Sequence, residues 1–80
     1  MTQPPRDELA RELALWAARI MGKDAVATDC YVKTLGRLSQ SMDDPAICFT
    51  VTRNLMDEGI TIGVDVVQAA LESARQVKRV

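Results

Sequence analysis

The chain has 80 residues, with 10 Lys plus Arg against 11 Asp plus Glu, a formal net charge of -1, and no histidine. A composition of 48% hydrophobic and 26% charged residues fits one small globular domain and excludes disordered, collagen-like and low-complexity chains. Without histidine the usual neutral-pH acid/base group and the commonest metal ligand are missing, and with them His-dependent triads and most zinc sites.

Apolar spacing predicts an all-α protein, a small four-helix bundle occupying residues 1–80 as a single domain, with residues 1–4 disordered. Helices are expected over about 5–21, 24–40, 45–58 and 64–78. The first starts at Pro5, where a missing N–H costs nothing, and Asp7 and Glu8 suit the positive end of its dipole. Leu9, Leu13, Trp16 and Ile20 form its apolar stripe at spacings of four, three and four, and Gly22 ends it. Asp24 is the expected N-cap of the second helix, whose stripe is Ala27, Tyr31, Leu35, Leu38 and Met42, with Val26 and Cys30 on its flank, Gly36 as its weak point and fraying expected after Leu38 through Ser39-Gln40-Ser41. Asp44 followed by Pro45 reads as N-cap and N1 proline of the third helix. Its stripe is Ile47, Cys48, Val51 and Leu55, and Gly59 with Ile60 forms a Schellman stop. The last helix follows Gly63 with Val64, Val67, Leu71 and Ala74 inward. Arg75, Lys78 and Arg79 sit in its closing turns, where cations complement the dipole. The expected core is therefore these four stripes.

Few reaction chemistries suit this residue set. The adjacent carboxylates Asp7-Glu8, Asp43-Asp44 and Asp57-Glu58 diverge along helix ends rather than converging on a cleft, as general acid/base catalysis requires. Neither Gly-rich phosphate loop is present, and Ser39, Ser41 and Ser73 have no base beside them. An Asp-Ser pair, the mark of acyl carriers, is absent. No catalytic residue, cofactor site or metal site is expected, and the chain is read as a non-enzyme. Arg53 and Asn54 alone cannot furnish a DNA-reading helix face, so nucleic acid is not an expected partner. No apolar run approaches the roughly 20 residues of a membrane span, and no secretory signal is visible. Cys30 and Cys48 lack metal-type spacing and read as buried, reduced thiols of a cytoplasmic protein.

Val32 falls away from the stripe of the second helix, and three further apolar residues fall away from theirs: Leu15 on the first helix, and Phe49 and Met56, seven apart, on the third. These three are the candidate partner surface, for another protein or for weak self-association, with Met supplying adaptable packing. The alternative reading is a bundle binding a nucleotide or other small molecule, with Lys33, Arg37 or Arg53 as anion anchor.

Leu15-Trp16-Ala17-Ala18, the stop at Gly22, Tyr31, the Asp44 cap, Val51, Leu55, Gly59, Ile62 and a last helix through Val67 and Leu71 occur in a particular order. From Leu13 to Ala74 this order resembles the inhibitor (zeta) subunit of alphaproteobacterial F-type ATP synthases, most specifically in the Leu-Trp-Ala-Ala run and the Gly59–Ile62 junction. The resemblance implies a helical bundle, a regulatory role and F1 ATPase subunits as partners. Family members carry a longer basic and aromatic N-terminal arm that inhibits the ATPase, whereas few residues here precede the first helix. Where the family's last helix opens with a basic run, this chain has Gln68, Ala69 and Ala70, and Ala25–Thr34 is less acidic than its counterpart. A divergent member without the inhibitory arm is the expectation.

Overall fold

The computed structural model describes residues 6–78. It is a small all-α four-helix bundle: α1 (Arg6–Met21), α2 (Ala25–Leu38), α3 (Asp44–Asp57) and α4 (Val64–Lys78). The expected disorder of residues 1–4, the Pro5 start and Arg79 lie outside the described residues, as do the side chains of Asp7 and Lys78. Short connections turn the chain back at each junction, and α1 is the hub, packing against α2, α3 and α4, while α3 also packs on α4. Helix α2 is fastened chiefly to α1.

The hub position follows from the small side chains of α1. Ala10, Ala14, Ala17 and Ala18 are 0–3% exposed, and they share the interior with Leu9 and Leu13. At about 100° per residue, the alanine face is rotated by roughly a third of a turn from the Leu/Trp/Ile stripe. Alanine permits close backbone approach and is the best helix former. The interior arc is consequently broad enough to meet three neighbours. The expected core placement of Ile20 is corrected: it shares the helix angle of Leu9 and Leu13 but stands in the last turn of α1, and is 38% exposed. Trp16 is half-buried, packed against the core from the side.

The other stripes converge as follows. Leu35 is buried on α2, with Tyr31 and Leu38 half-buried beside it; Ile47, Cys48, Val51 and Leu55 are buried on α3. On α4, Val67 and Leu71 are buried and Val64 and Ala74 are half-buried.

Helix ends show how local chemistry sets these boundaries. Asp24 caps α2, its Oδ1 accepting from the Ala27 N–H at 2.8 Å. Helix α2 stops at Leu38, two residues before the expected end and where fraying is expected, which leaves Met42 in the connection to α3 rather than on the α2 stripe. Ser39 is buried there, and its hydroxyl donates to the Gly36 carbonyl at 2.6 Å. The expected cap of α3 is corrected from Asp44 to Asp43, which is extended (φ -80, ψ 174) and accepts from the Ala46 N–H at 3.0 Å. Pro45 tolerates this shift because no N–H in the first helical turn has an intrahelical partner. Asp44, now inside the helix, pairs with Arg75 of α4, which also holds Glu72. Arg75 therefore ties α3 to α4 rather than simply complementing the dipole of α4. Gly22 (φ 72) and Gly59 (φ 81) supply the left-handed residues of two Schellman stops. In the second, Ile60 N–H donates to Leu55 O and Gly59 N–H to Met56 O, both at 2.9 Å.

Because the alanine face is closed against its neighbours, Ala17→Leu should lower stability by about 1–3 kcal/mol through overpacking. Ile20→Ser should change it by no more than about 0.5 kcal/mol. Urea unfolding followed by Trp16 fluorescence checks both; the reverse order would place the interior on the large-residue stripe.

Candidate functional site

Phe49 and Met56 are 68% and 60% exposed. They belong to a row of α3 residues, Pro45, Phe49, Thr52 and Met56, spaced by four, three and four. This spacing keeps a row on one helical face, here roughly a third of a turn from the Val51–Leu55 face that enters the core. Arg53 flanks the row, exposed. Leu15 is elsewhere. It is half-buried on α1 and lines a groove together with Val32 of α2. The three residues expected to share a partner surface are thus split between two places. Two further exposed apolar residues, Val26 (76%) and Val66 (45%), were not expected to be exposed. The signal for Val26 was present, since nine residues before Leu35 is the opposite side of α2 at about 100° per residue.

That groove between α1 and α2 has a volume of about 540 Å³. Leu15 and Val32 line it together with Arg11, Lys23, Asp29 and Lys33. Lys33 Nζ lies 3.0 Å from Asp29 Oδ2 one turn back on the same exposed face. The hydrogen bond to Asp29, followed by its charge, pulls the Lys33 pKa upward.

A second groove of about 490 Å³ lies where α2 and α3 approach through side chains. Asn54 Nδ2 donates to the Tyr31 hydroxyl at 2.9 Å. Lys23 Nζ lies 5.8 Å from the centre of the Tyr31 ring and 3.8 Å from Glu58. Burial pushes the Tyr31 phenol above its ordinary 10.0, against the Asn54 hydrogen bond, which lowers it. Cys30 lines this groove and is exposed, whereas Cys48 is buried; both are free thiols. The expectation of two buried thiols is therefore corrected at Cys30. Burial, followed by the charge of Asp44, pushes the Cys48 thiol up, with Arg75 opposing.

The carboxylate pairs have separate tasks. Asp43 caps α3 while Asp44 meets Arg75, and Glu58 turns to Lys23. Among the described residues no group of three or more Cys, Asp or Glu is placed to hold a metal ion. Lys33, Arg37 and Arg53, the candidate anion anchors, are not brought together. Lys33 lines the α1/α2 groove and the other two do not. No helix among the described residues is long and apolar enough to cross a membrane.

Two outcomes test this geometry. A thiol-specific reagent at mildly alkaline pH should modify Cys30 quickly in the folded chain and Cys48 only in denaturant. Equal rates would place both thiols at the surface. The single tyrosine should ionise above 10.0 when folded and return to its ordinary value in denaturant. Asn54→Ala should raise the folded value further. Since folding favours the neutral phenol, stability from this group is complete below the unfolded pKa and falls as pH rises from there through the folded one. Near-ultraviolet phenolate absorbance, measured alongside helical circular dichroism, reads both.

No family model, curated protein or solved structure matches the chain.

Proposed function

We propose that this protein is a non-enzymatic docking module that acts by seating the Phe49–Met56 face of α3 on a partner protein. The exposure of those two side chains carries the reading. Large apolar groups two turns apart on one helix face are the anchor pattern by which a helix enters a partner's groove. Each contributes about 1.5–3 kcal/mol when moved fully out of water. Their neighbour Arg53 adds a residue type enriched at interface centres. Met56 can repack around an imperfect fit.

The resemblance to the ATP synthase zeta subunit makes F1 ATPase subunits the proposed partner and regulation of that enzyme the proposed role. Gln68, Ala69 and Ala70 stand where the family carries a basic run, so docking on F1 is proposed without direct inhibition of hydrolysis.

Purified chain mixed with isolated F1 should comigrate in size-exclusion chromatography and leave ATP hydrolysis near its starting rate. The double variant Phe49→Ala, Met56→Ala should keep its helical circular dichroism and lose binding by about a hundredfold. Failure of the unaltered chain to comigrate removes F1 as partner. Undiminished binding by the double variant removes the α3 face.

A further inference from the structure

The groove between α1 and α2 has a character of its own. Leu15 and Val32 line it together with the cations Arg11, Lys23 and Lys33 and one anion, Asp29, and of the cations Lys23 turns its ammonium to Glu58 and the Tyr31 ring. This local excess of positive charge occurs in a chain whose formal net charge is -1. Arg11 makes no ion pair among the described residues. Lys33 is held only by the i,i+4 pair with Asp29, whose side chains are 70% and 62% exposed, the kind of surface pair that exchanges readily for another anion. Lys23 reaches its partner Glu58 only at 3.8 Å. Glu8 and Glu12, on α1, do not line the groove and already have contacts of their own.

We infer that this groove seats an acidic amphipathic helix of a partner protein, with the apolar face on Leu15 and Val32 and the carboxylates on Arg11 and Lys33. Charge and shape together select this occupant. Apolar side chains at i, i+3, i+4 and i+7 with Asp or Glu beside them match Leu15, Val32 and the two exposed cations Arg11 and Lys33 at once. Arg11 offers a planar, multi-donor group suited to a carboxylate. The α1/α2 groove is a separate surface from the Phe49–Met56 face, so either can fail without the other.

The probe is a capped peptide of about four helical turns with leucines at that spacing and glutamates on both flanks. Its control has every glutamate replaced by lysine. With the isotope-labelled full chain, the glutamate peptide should produce saturable amide shifts centred on Leu15 and Val32, weakening as salt is added. The lysine peptide should produce none. The double variant Arg11→Glu, Lys33→Glu should lose the glutamate peptide by at least about tenfold and acquire the lysine peptide. Because these positions are on the surface, retained helical circular dichroism and this exchange of preference separate a lost site from a lost fold. Equal binding of both peptides overturns the inference. So do shifts centred on Phe49 and Met56, or displacement of the glutamate peptide by citrate at matched carboxylate concentration, which would mark a general anion site.

Discussion

The close packing of the alanine face of α1 is the constraint on which the rest of the structure depends. A chain of this size buries a limited share of its surface, so one helix that serves three neighbours uses the available interior well. Ala10, Ala14, Ala17 and Ala18 contribute little apolar area individually. Ala14 and Ala17 let Leu35, Val51, Leu55 and Val67 from the other elements close into one cluster. Once that cluster is closed, the outer rows of α2 and α3 have nothing left to pack on within the chain. The exposed positions of Phe49, Met56 and Val26 are the geometric remainder of a small core wrapped around a slim centre.

Polar contacts then locate the helices around that cluster. Asp24 and Asp43 each satisfy a backbone N–H at a helix start, and Gly22 and Gly59 turn the chain where a side chain would be strained. Asp44 and Arg75, separated by 31 positions, pin the start of α3 to the last turns of α4. Tyr31 and Asn54 make the corresponding tie between α2 and α3, where the main chains scarcely meet.

Much of this arrangement is legible in the amino-acid order, and the parts that are not have identifiable reasons. The four helices, the Asp24 cap and the Gly59 stop follow from local chemistry that needs no distant partner. The choice between Asp43 and Asp44 does not, because proline fits either of the first two helical positions. Ile20 reads as inward from its spacing to Leu13 and Trp16, and its exposure comes from its place in the last turn of α1, which the spacing does not record. Phe49 and Met56 were readable as candidates from their angle to Leu55. The groove beside Leu15 was not, since Arg11, Val32 and Lys33 become neighbours only when α1 and α2 fold against each other.

The attachment of α2 along one side has a consequence for how such a protein can diversify. With its inner edge on α1 and its outer edge in water, α2 can exchange Val26, Cys30, Lys33 or Arg37 without repacking the other helices. The architecture works as a three-helix chassis carrying a replaceable strip, so recognition can drift on that strip while the chassis keeps its form.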